Sequence, residues 1–288
     1  MTAGAETTAE PVGRRPIEQE RNDALAAWYR TEQRDLPWRR SNDPYAVLVS
    51  EVMLQQTQAA RVVPFYQRFL VRFPTVETLA NASLADVLTL WSGLGYNSRA
   101  QRLHQAAIQV AATGWPDDVV GLEQLPGVGP YTARAVAAIA FDQPVAAVDT
   151  NLRRVLSRWH GEALSGKALE AAAALDLGAD AATWNQAMMD LGATLCRPRR
   201  PLCELCPVHE WCAGPGVYEP PQAQSRFEGS MRQVRGAIVR SLIRGPAGFA
   251  GLVDTTGIAP ERIAAALDSL VTEGLVIERT DGSYALPD

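Results

Sequence analysis

Leu125-Pro126-Gly127-Val128-Gly129-Pro130-Tyr131-Thr132-Ala133 joins two stretches of helical character. Glycine tolerates left-handed backbone and keeps side chains away from the amides of a turn, and Pro130 suits the first position of a following helix. That helix would offer free N–H groups and the positive end of its dipole, a combination that binds phosphate. Taken alone, PGVG is more often an ordinary turn between helices. Asp149 adds to it, because it follows the apolar run PVAAV (144–148) twenty residues past Gly129 and precedes Thr150-Asn151-Leu152-Arg153-Arg154, where it can cap a helix.

Working outward, helical patterning dominates. Residues 1–18 carry no hydrophobic period and are expected to form a disordered tail, with an apolar-periodic helix beginning over 22–29. Asp43 followed by Pro44 is a helix start signal, and the helix is expected to run through Gln58. Periodicity predicts further helices over 63–73, 84–90, 98–113, 119–125, 131–141, 151–159 and 183–191, with no convincing strand among them. A Pro/Gly-rich stretch from Pro207 to Pro221 leads into a segment of different character. Over 229–288 the pattern gives a helix (233–242), a short helix, a third helix (260–273) and then LVIERTDGSYAL, where Asp281-Gly282 signals a hairpin. Three helices closed by a hairpin describe a winged helix. Such modules often meet DNA through the third helix, but Ala264, Ala265, Ala266 and Leu267 make this one poorly basic, so protein contact is an equal candidate.

Composition allows sizeable cores: 288 residues, 47% of them hydrophobic. No basic start followed by an apolar run opens the chain, and no eighteen consecutive residues are apolar, so a cytoplasmic protein without membrane contact is expected. A net charge of −5 argues against a generally basic nucleic-acid binder but leaves local patches open. Lys167 is the only lysine among 27 cationic side chains, which favours planar guanidinium contacts to phosphates and bases.

All four cysteines, Cys196, Cys203, Cys206 and Cys212, fall in one short loop with six, two and five residues between them. Without an export signal, this reads as a metal site rather than a disulfide framework. Four thiolates hold either a [4Fe–4S] cluster or tetrahedral zinc, and spacing alone does not choose. Arg197, Arg199 and Arg200 would make the loop a basic finger toward phosphates.

Two carboxylates differ in their surroundings. Glu51, in VLVSEVMLQQT, has Val47, Leu48, Leu54 and Gln55 at helical neighbour positions, so burial would raise its pKa. Asp149 would sit at a helix N-terminus, which favours its anion. A protonated and an ionised carboxyl together are what glycosidic hydrolysis needs.

LPWR (36–39), DPYAVLVSEVMLQQTQ (43–58), FPT (73–75), LWSGLGYNSRAQRLH (91–104), the hairpin, NQAMMDLGATLC (185–196) and the cysteine spacing together resemble adenine glycosylases of the MutY family over roughly Leu36 to Cys212. The resemblance implies an all-α, two-lobed helix–hairpin–helix DNA glycosylase over 19–228, with a [4Fe–4S] loop at 196–212 and a small winged-helix-like α+β domain over 229–288. It implies base excision repair: monofunctional removal of adenine paired with 8-oxoguanine or guanine in double-stranded DNA, by a monomer. By that resemblance Glu51 is the general acid at adenine N7, Asp149 stabilises the cationic sugar or adds to it, Asn151 positions Asp149, and Tyr131 assists near the sugar. Leu36, Trp38, Arg39, Leu54, Gln186 and Met189 would surround the flipped adenine. Gln56, Thr57, Leu94 and Tyr96 would meet the opposing strand, and Gly127 and Gly129 would let the hairpin approach a phosphate.

The chain departs from the family at Asn97, where an aromatic commonly follows Gly-Leu-Gly-Tyr, and in its C-terminal segment, where most members carry a larger domain that helps read oxidised guanine. Two other readings are an endonuclease III-type pyrimidine or mismatch thymine glycosylase, against which Glu51 and Gln55-Gln56-Thr57 weigh, and a catalytically silent structure-specific DNA-binding protein, against which the retention of both carboxylates weighs.

Overall fold

A computed structural model describes residues 16–218 and 226–288. In chain order the helices are α1 (Pro16–Glu32), α2 (Pro44–Leu54), α3 (Ala59–Arg72), α4 (Val76–Ala80), α5 (Leu84–Trp91), α6 (Asn97–Thr113) and α7 (Val119–Glu123). They continue with α8 (Pro130–Ala140), α9 (Thr150–His160), α10 (Gly166–Asp176), α11 (Ala181–Thr194), α12 (Met231–Leu242), α13 (Phe249–Thr256) and α14 (Pro260–Thr272). Three short strands, β1 (Ala247–Gly248), β2 (Ile277–Glu278) and β3 (Ser283–Ala285), form an antiparallel sheet of order β1-β3-β2. This is the all-α architecture with a small C-terminal α+β segment expected from the sequence.

The chain divides into two compact units, each drawn from two pieces of sequence. One comprises residues 1–34 and 148–220, the other 35–147 and 221–288. In the first, α11 packs against both α1 and α9, and α9 against α10. Leu25, Leu152, Val155, Leu156, Met188 and Leu191 are buried at its centre. Asp176 anchors a buried polar knot: it pairs with Arg21, meets His160 Nε2 at 2.7 Å, and its carbonyl accepts from Asn22 Nδ2 at 2.9 Å. Arg21 also lies 4.1 Å over the Trp159 ring. Helix α1 begins at Pro16, inside the expected tail. Glu18 in its first turn is 9% exposed and suits the positive helix end, so packing extends the helix beyond its apolar period. The rest of the expected tail, residues 1–15, lies outside the described residues.

In the second unit α2 is buried from Tyr45 to Met53 and packs on α8 and α3. A helix apolar on every face belongs inside a core. Asp43 caps it as expected, accepting from the Tyr45 and Ala46 amides at 3.3 Å. The helix stops at Leu54 rather than Gln58. Gln56 adopts a left-handed φ of 55°, and the buried Arg99 gathers the carbonyls that a longer helix would have used internally. Around this core α4 and α5 pack on α6, and α7 on α8.

The C-terminal segment, expected as a domain of its own, packs within this same unit. Gln101 Nε2 donates to the Glu273 carbonyl at 2.9 Å, and the Ala85 amide to the Pro287 carbonyl at 3.1 Å. Helices α12, α13 and α14 pack on one another, with Ile277 opposite Ala285 and Glu278 opposite Tyr284 in the hairpin. Gly282 takes φ 80° in its turn, and Asp281 Oδ1 accepts from the Ser283 amide at 2.9 Å, so the Asp-Gly pair turns the chain as read.

Candidate active site

Glu51 sits on α2 and is 5% exposed. Val47 and Leu48 beside it are equally enclosed, as the apolar helix face implies. In the same unit the turn Pro37–Arg40 packs against α2. Its Trp38 is buried edge-on against Tyr66 at 5.5 Å between ring centroids, Leu36 is buried, and Arg39 and Leu54 are half-buried. Tyr131 is half-buried in the first turn of α8, and Gln55 reaches the neighbouring Thr132 hydroxyl at 3.4 Å.

The hairpin takes the form its glycines allow. Gly127 has φ 79°, and a Cβ there would lie 2.7 Å from Arg102 Cβ, so both backbone and space require glycine. Gly129 is the N-cap of α8 with open space around it and Pro130 behind it. The first amides of α8 are therefore those of Tyr131 and Thr132, at the positive end of the dipole.

Asp149 belongs to the other unit, as the N-cap of α9. Its Oδ1 accepts from the Asn151 and Leu152 amides at 2.7 and 2.8 Å, and its Oδ2 from Asn151 Nδ2 at 2.8 Å. Asn151 Oδ1 accepts in turn from Arg154 Nη2 at 2.8 Å, and Arg154 also donates to the carbonyls of Gly192 and Cys196, both at 2.7 Å. A Cβ at Gly192 would lie 2.6 Å from Asn151 Cβ, so this glycine lets α11 approach α9 closely enough to fix Asn151. Capping alone would hold the Asp149 carboxyl below its ordinary range. The net direction is upward, because burial outweighs the amides and Arg154. Gln186 and Met189, half-buried on α11, lie in this unit too, and Gln186 Oε1 accepts from the buried Tyr29 hydroxyl at 2.7 Å. Sequence reading missed Tyr29, Arg99 and Arg154; each looks in the sequence like one more residue of a helix.

The four cysteines wall one small cavity with Arg158, Leu191 and Leu195. They lie close enough that Cys196, Cys203 and Cys212 join burial in pushing the Cys206 thiol up to about 11. Two single turns, Cys203–Leu205 and His209–Trp211, lie within the loop. Arg158 Nη1 lies 3.2 Å from Cys196 Sγ and 2.8 Å from the Arg197 carbonyl. An all-thiol set beside a guanidinium donor suits an anionic iron–sulfur cluster. Arg197, Arg199 and Arg200 are exposed on the loop between the first two cysteines.

Gln56, Thr57, Leu94 and Tyr96 are brought together on one cavity of about 610 Å³. Gln56 and Tyr96 both hold left-handed backbone, φ 55° and 54°. Arg99 donates to the carbonyl immediately before each of them, on Gln55 and on Gly95, and to Thr57 Oγ1 at 3.2 Å.

Comparison with known proteins agrees with this geometry. A family model for HhH-GPD superfamily base excision DNA repair proteins matches residues 49–176, and one for the iron–sulfur binding domain of endonuclease III matches residues 196–212. The four thiols are thus the ligand set of a [4Fe–4S] cluster rather than of zinc. An adenine DNA glycosylase of Mycobacterium tuberculosis is 42% identical over 91% of this chain and 92% of its own length. The adenine DNA glycosylase of Rattus norvegicus is 46% identical over 65% of this chain and 40% of its own. Among solved structures, a thermostable thymine-DNA glycosylase superposes with a TM-score of 0.65 at 31% identity, covering 69% of this chain and 96% of that one. With 42% identity spanning nearly the whole of both chains, this protein belongs to the adenine DNA glycosylase family.

Proposed function

We propose that the protein binds double-stranded DNA and hydrolyses the N-glycosidic bond of adenine opposite 8-oxoguanine or guanine. The observation that carries this reading is the pair of unlike carboxyls, Glu51 enclosed on α2 and Asp149 tied to Asn151 at the start of α9, in a chain so similar to adenine DNA glycosylases. Glu51 delivers a proton to purine N7, the C1′–N9 bond breaks with its electrons passing into adenine, and Asp149 stabilises the positive charge left on the sugar. Water then adds at C1′ and its proton returns to the emptied carboxylate, leaving an abasic site. Asn151 holds the Asp149 carboxylate in place, and Tyr131 stands by the sugar. Leu36, Trp38, Arg39, Leu54, Gln186 and Met189 receive the base, and Gln56, Thr57, Leu94 and Tyr96 meet the opposing strand. The hairpin amides beyond Gly127 and Gly129 take a phosphate. Cys196, Cys203, Cys206 and Cys212 would hold the [4Fe–4S] cluster, which would tie the 196–212 loop together, and the Cys196 carbonyl of that loop accepts from Arg154. We further read a monomer acting in the cytoplasm.

The test is a labelled duplex with adenine opposite 8-oxoguanine, incubated and then cleaved in alkali. Glu51→Gln is expected to lower single-turnover excision at least about a hundredfold, the contribution of one general acid, while duplex affinity stays near wild type. An unchanged rate would remove Glu51 from the mechanism. The likeness to a thymine-DNA glycosylase supports a second reading on the same scaffold. Release of thymine from a thymine–guanine duplex, with adenine untouched, would replace the first reading by that one.

A further inference from the structure

The cavity lined by Gln56, Thr57, Leu94 and Tyr96 has a second wall, built from the C-terminal segment by Phe227, Arg232, Arg235 and Arg240. We propose that this cavity holds a nucleotide of the strand opposite the excised base, and that α12, the first helix of the winged-helix segment, supplies its cationic wall. The inference rests on the reading above, in which those first four residues meet the opposing strand, and adds a site on α12 rather than on the third helix of the segment.

The wall has the chemistry for a phosphodiester and a planar base. Arg232 donates to the Tyr96 hydroxyl and lies 5.4 Å over its ring, while Arg99 lies 5.3 Å from the same ring. Tyr96 is thereby fixed by two guanidinium groups, Arg99 from α6 and Arg232 from α12. Arg235 is committed to Glu273 by a two-pronged pair at 2.6 and 2.7 Å. Arg240 is exposed at the end of α12, and Phe227 is 54% exposed at the cavity rim. A large aromatic left in water beside arginines is a stacking platform for a base, and a cavity of several hundred Å³ suits a small-molecule-sized group. The opposite wall includes two left-handed non-glycine residues, Gln56 and Tyr96. The third helix offers less. Arg262, the one basic residue of α14, is spent on the Gly229 carbonyl, and Glu261 and Asp268 share that helix.

The experiment uses the full-length protein and a duplex carrying 2′-fluoro-2′-deoxyadenosine, which resists cleavage, opposite 8-oxoguanine, opposite guanine or opposite an abasic nucleotide. Arg240→Ala is expected to weaken binding about tenfold and to lower the slope of log K against log salt by about 1, as for one lost phosphate contact. Phe227→Ala is expected to weaken binding when a base stands opposite adenine and to have little effect when that nucleotide is abasic. Both side chains are exposed, so the folded, cluster-bearing protein is retained, as cluster absorbance and melting temperature verify. Unchanged affinity and slope in both variants, or an equal Phe227→Ala loss on the abasic duplex, overturns the proposal. Turnover by the wild-type enzyme separately decides the adenine reading, since these binding comparisons need no chemistry.

Discussion

Replacing Arg99 by methionine should be among the most damaging single changes in the 35–147 and 221–288 unit. Arg99 is 8% exposed, and its guanidinium donates to the carbonyls of Val52 at 2.8 Å, Met53 at 3.0 Å, Gln55 and Gly95 at 3.1 Å. The first three are the acceptors that the end of α2 leaves unsatisfied. Burial draws the Arg99 pKa down to about 10, which still leaves it charged at neutrality. Methionine refills most of the volume but offers no donor, and each carbonyl left buried without one costs about 1–3 kcal/mol. Because the exposed Gln56 lets water reach part of the site, we expect a net loss of about 4 kcal/mol, not the full sum over four carbonyls. At roughly 2–4 °C per kcal/mol for a unit of this size, the melting transition should fall by about 8–16 °C. Thermal and urea unfolding of the cluster-bearing protein measure it. Arg99→Lys should fall between, since one ammonium cannot span the carbonyls before both Gln56 and Tyr96. A loss under about 1 kcal/mol for Arg99→Met would refute the idea that this one side chain ends α2 and holds both left-handed turns.

Asp149 must be ionised to act, and burial holds its pKa above the ordinary 3.8, so single-turnover excision should fall on acidification at a higher pH than an ordinary aspartate would give. Asn151→Ala removes one of the donors that hold the pKa down and should move that acid limb to still higher pH; an unmoved limb would detach it from Asp149. Because its folded-state pKa is raised, ionised Asp149 costs stability above that pKa, and acid relieves the cost. Gly192→Ala should destabilise by about 1–3 kcal/mol and slow excision, since the new Cβ meets Asn151, and a melting temperature within error of wild type would contradict the close approach. Strand cleavage should not accompany base release: Tyr131 offers a phenol where an imine needs an amine, and Lys167 is the only lysine. Borohydride trapping of an adduct that persists in Lys167→Arg would reverse that expectation.

Helix existence was legible wherever length and periodicity coincided, as in α6 and α9. It was not legible in α4, which at five residues is too short to show a period, or in α10, whose alanine run carries no apolar stripe. The end of α2 was misplaced because the sequence from Glu51 to Gln58 has no glycine or proline. What stops the helix is Arg99, more than forty residues away. The hairpin, the Asp149 cap and the cysteine loop were legible because each is written in consecutive residues. Tyr29 beneath Gln186, Arg154 beneath Asn151 and the arginines of α12 beside Tyr96 were not, because their meaning depends on which helices the fold lays side by side.

The interrupted layout of the units also orders events on the ribosome. Residues 35–147 emerge as one continuous piece, whereas within its own unit α1 packs on α11, and the partner of Arg21 lies 155 residues downstream. At 5–20 residues per second, α1 waits about 8–30 s after synthesis with Leu25 and Tyr29 uncovered. The cysteines arrive later than Asp176. Cluster insertion therefore comes after the first helix has been held in suspense, which makes the exposed α1 the natural target of chaperones and proteases during biogenesis. Slowing translation between Arg34 and Val148 should lower the yield of the whole enzyme more than the same delay placed after Cys212.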